Sequence, residues 1–248
     1  MLLLWAPCTA SAGQAPASGE PPPASASRPA QAVVDDYVNA LGGPEAVLRI
    51  RNRRAEGVVE GARRDLPRRN IRLYWAAPNL ARAEFKAEGL VTYQGYDGST
   101  GWTEDFGIVE ELKPDALEDL LLYANPIRYT HLLEIYPDAA IEKDAPDAAG
   151  RTVLRATAKG HTLRFFFDPK THLLAELQAQ HDTDESPPHR YRFEEYRRVD
   201  GIMFPFAIHE VTPLPNLDPE AIRIENLIRY KSVSHNLSIP ATLFTRPK

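Results

Sequence analysis

The chain has 248 residues, 43% hydrophobic and 25% charged, which suits one large globular domain or two small ones with a sizeable core. A formal net charge of -5 and a pI near 5.8 exclude the basic field that phosphate binding needs, so no nucleic-acid partner is expected. The basic clusters "RNRRAEG" and "ARRDLPRRN" read as solvated strand ends and a turn.

In chain order, residues 1–12 ("MLLLWAPCTASA") hold a short apolar run and then Ala10-Ser11-Ala12, a small-residue cleavage pattern. This reads as a truncated or cryptic signal peptide whose true start lies upstream, and it predicts export to the periplasm. Lipid anchoring in the envelope through Cys8 is the alternative, although Pro7 stands where a small residue belongs. Cys8 is the sole cysteine, so the folded part has no thiol to oxidise or to hold a metal. Residues 13–28, rich in Ala, Pro and Ser, are expected to be a disordered tether. The remaining residues, 29–248, form the predicted domain.

Val33, Val34, Tyr37, Val38 and Leu41 recur at helical spacing, Gly42-Gly43 supply a stop, and Pro44 starts a second short turn. The period then drops to two. "IRLYW" sets Leu73 and Trp75 on one face, and "ARAEFKAE" sets Ala81, Ala83, Phe85 and Ala87 against Arg82, Glu84, Lys86 and Glu88. "LLAELQAQ" (Leu173, Ala175, Leu177, Ala179) and "AIRIENLIRY" (Ile222, Ile224, Ile228, Tyr230) repeat the alternation. The short links "EG", "DGSTG", "DPKTH" and "RVDG" predict neighbouring antiparallel strands of one curved sheet. One stretch breaks the rhythm: "KPDALEDLLLYANPIRYTHLLEIY" starts at Pro114-Asp115, carries Leu117, Leu120, Leu121 and Leu122, breaks at Pro126, and resumes with Leu132 and Leu133. A greasy helix pair of this kind must cover something apolar, and the open sheet face is the available partner. Nothing after residue 12 reaches the ~20 apolar residues of a membrane span.

"YQGYDGSTGW" (Tyr93 to Trp102) places an acid beside two hydroxyls, but Asp97-Gly98 and Gly101 are what a tight hairpin needs, and Ser99 has neither G-x-S-x-G nor a nearby histidine. The seven histidines show no H-E-x-x-H and no i/i+4 pair, and are expected mostly at surfaces and strand ends, so no metal ligand is predicted. No phosphate-cradling glycine motif occurs, and "DTDES" (Asp182 to Ser186) lacks the glycine and distal glutamate of a calcium loop. No catalytic residue and no cofactor are expected.

The ordered set "LYWAAPNLARAEF", "YQGYDGSTGW", the central apolar helix pair, "FFFDPKTHLLAELQ", "YRFEEYRRVDGIMFPFAI" and "IPATLFTRP" resembles the outer-membrane lipoprotein-sorting family, LolA and its periplasmic relatives. Ala77 stands before Pro78 where sorting carriers have a basic residue, so the likeness points to the broad class of relatives. It implies a mainly β (α+β) fold: a half-open antiparallel β-barrel of the LolA/LolB type, with a leading N-terminal helix and a central apolar helical lid. The inward alanines are too small to fill such a barrel, so lid side chains or a ligand must do so.

The expected cavity wall is Leu73, Trp75, Ala81, Ala83, Phe85, Ala87, Tyr93, Trp102, Phe165, Phe167, Ala175 and Leu177, beneath a lid of Leu117, Leu120, Leu121, Leu132 and Leu133. The function implied is a non-enzymatic, monomeric carrier or sensor of lipid, acyl-chain or lipoprotein cargo, with envelope membrane proteins as further partners. Two alternatives stay open: an interaction protein whose cavity is plugged by its own helices, and a hydrolase using Ser99, Asp97 and His161.

Overall fold

The computed structural model describes residues 28–61, 68–145, 148, 150–158, 160–181, 187–213 and 223–247. The predicted signal segment, Cys8, almost all of the tether, the Asp182–Ser186 turn and Ile222 lie outside these residues.

Helix α1 (Arg28–Leu41) is followed by α2 (Pro44–Arg49), six strands, a helical connection and seven more strands. The first six are β1 (Asn52–Gly61), β2 (Arg69–Ala76), β3 (Leu80–Ala87), β4 (Leu90–Tyr96), β5 (Gly101–Asp105) and β6 (Ile108–Glu111). The connection comprises α3 (Pro114–Ala124), a 3-10 turn (Arg128–His131) and α4 (Leu132–Ile135). Then come β7 (Ala140–Ile141), β8 (Thr152–Ala158), β9 (His161–Phe167), β10 (Leu174–His181), β11 (His189–Val199), β12 (Ile202–Pro213) and β13 (Arg223–His235).

The thirteen strands among the described residues make one antiparallel sheet in the order β6-β5-β4-β3-β2-β1-β13-β12-β11-β10-β9-β8-β7. The first and last strands join at the centre, while β6 and β7 form its two edges, so the barrel is not closed. The helical connection therefore leaves one edge and re-enters the other. A short chain can make that passage only by crossing the inner face, which explains why "KPDALEDLLLYANPIRYTHLLEIY" is apolar where the flanking strands alternate.

Cross-strand register fixes which residues face inward. Leu73 lies opposite Ala83 and Trp75 opposite Ala81; on the other wing Phe165 lies opposite both Leu177 and Leu154. Helix α1 buries Ala30, Val34, Tyr37 and Leu41, one stripe of its surface, and the Tyr37 ring meets Phe167 edge-on at 5.4 Å. In the connection, Leu120, Leu122 and Leu132 are buried in the same apolar cluster as Leu73, Ala81, Ala83, Phe165, Phe167 and Leu177. The second predicted helix of the lid is shorter than its periodicity suggests, because Pro126 and the non-helical Asn125 cap leave room only for the 3-10 turn and the four-residue α4.

Three predicted wall residues are placed elsewhere. Tyr93 pairs with Glu84 and Glu104 and so lies on the outer face, where the Arg82 guanidinium covers its ring at 4.6 Å. Trp102 is fully buried, but it lies opposite Gly95 on that same outer face. Its indole Nε1 donates to the Phe244 carbonyl at 3.2 Å, and Arg82 donates to the Leu243 carbonyl at 3.0 Å, so the C-terminal "ATLF" turn seals it. A Cβ on Gly95 would sit 2.3 Å from the indole ring, so only glycine lets the ring lie flat on the strand. Ala175 falls in a β-bulge between Leu174 and Glu176. The extra residue resets the alternation, bringing Leu174 inward opposite Phe167.

The "YDGSTGW" segment is a turn: Asp97 Oδ1 accepts from the backbone amides of Ser99 (2.9 Å) and Thr100 (2.8 Å) and from the Ser99 hydroxyl (2.8 Å). The amide of Thr100, then that of Ser99, hold its carboxyl below the usual range. Asp168 makes the same set of bonds to Lys170 and Thr171 in the β9–β10 link. His161 starts β9, on the opposite wing of the sheet from Ser99.

Candidate functional site

The inner face meets the connection through two kinds of contact. The apolar kind was anticipated: Leu117, Leu121, Leu133, Trp75 and Phe85 are half-buried and pack against the central cluster. The polar kind was not. Helix α3 ends with carbonyls that have no partner within the helix, and the sheet supplies donors for two of them. Tyr230 of β13 donates its hydroxyl to the Tyr123 carbonyl at 2.8 Å, and Arg53 of β1 donates Nη1 to the Ala124 carbonyl at 3.4 Å and to Asn125 Oδ1 at 2.9 Å.

Arg53 is 1% exposed. Its guanidinium lies 4.6 Å from the Phe204 ring centroid and 5.5 Å from that of Trp75, and Nη2 has no partner among the described residues. Burial draws its pKa down to about 9, so it remains a cation at neutral pH. A positive charge at the negative end of a helix is favourable, and the two rings provide cation–π stabilisation in place of a carboxylate. Arg53 Nε also donates to His235 Nε2 at 3.0 Å. Because arginine can only donate, Nε2 must accept, which puts the imidazole proton on Nδ1, 3.0 Å from Asp200 Oδ2. Burial first, and then the charge of Arg53, lower the pKa of His235.

Beside the α3 contact lies a cavity of about 420 Å³, lined by Phe85, Ala87, Leu90, Thr92 and Gln94 of β3 and β4, by Ala116, Asp119 and Tyr123 of α3, and by Val59, Glu210, Asn226 and Ile228 of the central strands. Its volume falls in the range of small-molecule sites. Polar and apolar side chains are mixed in its lining, which also includes Arg69, Glu88, Asp105 and Phe106. Leu90 and Phe106 are among the exposed large hydrophobic residues.

Asp119, Glu210 and Asn226 of the lining are joined with His189 and Tyr191 of β11 in a connected cluster. Tyr191 donates its hydroxyl to Asp119 Oδ1, His189 Nε2 lies 3.1 Å from Glu210 Oε1, and Asn226 donates to Glu210 Oε2 at 2.8 Å. Burial, and next the neighbouring Glu210, push the Asp119 carboxyl up to about 6. Burial alone would raise Glu210 as well, but hydrogen bonds from His189, Asn226 and Tyr123 outweigh it and hold that carboxyl low.

Of the seventeen predicted site residues, the structure gathers Leu73, Ala81, Ala83, Leu120, Leu132, Phe165, Phe167 and Leu177 into the buried cluster, and packs Trp75, Phe85, Leu117, Leu121 and Leu133 against it. Phe85 and Ala87 reach the cavity itself. Arg53, Asp119, His189, Tyr191 and Glu210 were missed. His189 opens β11 and His235 closes β13, so both are at strand ends as expected, but His235 is buried there and His189 is half-buried in the cluster. The available signal was polar residues at inward strand positions, as in His189 and Tyr191 of "HRYRF" or Glu210 and Thr212 of "HEVTP".

No family model and no curated protein matches the sequence. Solved structures do match. A LolA superfamily protein from Nitrosomonas europaea is 10% identical, with a TM-score of 0.57 over 88% of this chain and 97% of that one. A domain from Vibrio parahaemolyticus, described as an outer membrane lipoprotein-sorting protein, is 12% identical, with a TM-score of 0.56 over 81% of this chain and 93% of that one. The fold is thus LolA-like, an open antiparallel half-barrel with helices across its inner face. Among the described residues no helix is long and apolar enough to cross a membrane.

Two outcomes are expected. Arg53→Met removes a buried charge together with its bonds to the end of α3. These effects offset in global stability, to within ~1 to 2 kcal/mol, while tryptic cleavage after Arg128 accelerates because that end is untied. A large loss of stability with unchanged cleavage would make Arg53 core support alone. For His235, the unfolded chain takes up a proton near the usual value of 6.5 whereas the native imidazole resists it. Its share of stability is therefore complete above pH 6.5 and lost as pH falls through the lowered native pKa. Urea melts of His235→Gln between pH 7 and pH 5 should show a flatter pH dependence than wild type, and parallel curves would contradict the assignment.

Proposed function

We propose that the chain is a periplasmic, non-enzymatic carrier or sensor that receives lipid, acyl-chain or lipoprotein cargo against the inner face of the half-barrel when α3 to α4 move aside. The observation that carries this reading is the single inner apolar surface closed by one edge-to-edge connection, with a cavity of about 420 Å³ already open beside it. The cavity is lined by both apolar side chains such as Phe85, Leu90 and Ile228 and polar ones such as Asp119 and Glu210, a mixture that suits an amphiphile. Burying an acyl chain yields ~0.8 kcal/mol per CH₂ without any polar reader. What the two similar structures are called, a LolA superfamily protein and a lipoprotein-sorting domain, agrees with cargo of this class. Export by residues 1–12, a tether at 13–28 and a single cargo-binding domain at 29–248 belong to the same reading.

A second reading, a self-plugged interaction protein that docks on an envelope membrane protein, is favoured by the complete burial of Leu120 and Leu132 inside the half-barrel. The two readings differ in whether those side chains yield to a ligand. Native mass spectrometry of protein purified from an envelope fraction, with titration of a fluorescent fatty acid, separates them. The carrier reading predicts co-purified lipid and saturable binding; absence of both would leave the self-plugged protein.

Leu120→Ala sharpens the test. It should lower the stability of the empty protein by ~2 to 5 kcal/mol, and it should tighten apparent fatty-acid affinity, about tenfold for each ~1.4 kcal/mol by which opening becomes easier. Leu48→Ala, at an exposed site on α2, should change neither. Loss of stability together with weaker binding would make α3 part of the binding wall instead of a displaceable cover.

A further inference from the structure

Three side chains with metal-ligating chemistry converge where the cover meets the sheet: Asp119 of α3, His189 of β11 and Glu210 of β12. One donor atom from each lies within 4.8 Å of the other two. They come from three separate elements, Glu210 is buried and the other two are half-buried, so this is not a solvated acidic run on one surface turn.

Neutral neighbours and the three residues themselves share the hydrogen bonds of this cluster. Tyr191 donates to Asp119 Oδ1, which leaves Oδ2. Asn226 donates to Glu210 Oε2 at 2.8 Å, which leaves Oε1 facing His189 Nε2 at 3.1 Å. The Tyr191 hydroxyl lies 3.4 Å from the other imidazole nitrogen, Nδ1. Thr212 Oγ1 sits 3.0 Å from Nε2 and 3.3 Å from Oε1. Tyr191, Asn226 and Thr212 thus form a shell of hydrogen-bonding partners around the three, the kind of outer support that orients the ligands of a metal site.

Charge argues the same way. Two carboxylates face a single imidazole, and among the described residues neither forms an ion pair with a lysine or arginine. Tyr191, Asn226 and Thr212 are neutral donors, which soften the repulsion without cancelling it. Asp119 and Glu210 also line the cavity, so a bound ion would have an open side towards solvent.

We propose that Asp119, His189 and Glu210 form a site for a divalent transition-metal ion of the zinc class, held by one nitrogen and two oxygens with an open fourth position. The ligand types fit that class, since imidazole suits zinc and its neighbours and carboxylate oxygens join it readily. Binding requires His189 Nε2 to be free of its proton, which passes to solvent, and needs ligand shifts on the order of 1 Å to reach metal–ligand distances of about 2 Å. Because Asp119 is on the cover and the other two are on the sheet, the ion would staple α3 to β11 and β12. The proposal does not depend on the nature of any cargo.

The test is zinc chloride titrated by calorimetry into the full chain, stripped with a chelator and then exchanged into non-coordinating buffer at pH 7. One saturable site is expected, with a rise in melting temperature of about 5 to 10 °C at a free zinc concentration some hundredfold above the dissociation constant. His189→Gln, Asp119→Asn and Glu210→Gln should each weaken binding by about tenfold or more. His131→Gln, at the exposed His131–Glu134 pair, should leave it unchanged. Melts in chelator establish which variants remain folded. For any that do not, ¹⁵N imidazole spectra of the wild type give the answer, since His189 should be the histidine whose ring signals move with zinc. Absence of a saturable site, binding that survives all three substitutions, or imidazole shifts confined to other histidines would overturn the proposal and leave the cluster as a hydrogen-bonded latch.

Discussion

An antiparallel sheet whose two outermost strands stay unpaired cannot hide its inner face from water by closing on itself. That constraint organises the rest of the molecule. Because β1 pairs with β13 at the centre, the chain must travel from one edge, β6, to the other, β7, part-way through its course. The connecting segment spans the inner face and buries that side of Leu73, Ala81 and Ala83, while α1 covers the other wing through Tyr37 and Phe167. The small size of the inward alanines follows from this arrangement. Leu120, Leu122 and Leu132 occupy the space that larger strand residues would fill, and native packing density is reached only when cover and sheet are together.

Apolar contact sets the cover down without fixing where it ends, since hydrophobic burial is non-directional. Direction comes from the polar contacts. Tyr230 and Arg53 take the terminal carbonyls of α3, and Asp119 binds Tyr191 on the sheet. These contacts sit at the end and the middle of α3. By contrast, the 3-10 turn and α4 carry an ion pair between Arg128 and Glu118 and a hydrogen bond between His131 and Glu134, both within the cover itself. A cover held by a few directional bonds over an apolar bed can leave without unfolding the strands beneath it.

The sequence displayed the strands and the helical interruption because both rest on local periodicity. "ARAEFKAE" alternates without a fault and its register is the one observed. Where the reading failed, the cause was non-local. Trp102 and Tyr93 were placed inside because an aromatic residue on a strand looks like core, yet the C-terminal "ATLF" turn covers Trp102 from outside across more than a hundred residues of sequence. The bulge at Ala175 leaves no mark in "LLAELQAQ", where Leu173, Ala175, Leu177 and Ala179 alternate without a break. Arg53 looks like one of a run of solvated arginines in "RNRRAEG", and only the pairing of β1 with β13 places it between two aromatic rings beside His235. The Asp119, His189 and Glu210 cluster could not be read from spacing because its members are brought together by the sheet, not by a helix repeat or a short loop.

The central claim, that the connection is a cover displaced by what the half-barrel receives, is tested most directly by amide hydrogen exchange with and without a saturating fatty acid. Local opening is what this method reads. The account predicts that backbone amides of α3 and the 3-10 turn lose protection when the ligand is bound, while those of β1, β13 and α1 keep theirs. Unchanged or stronger protection of α3 at saturation would contradict it, and would mean that the inner face stays closed by its own side chains.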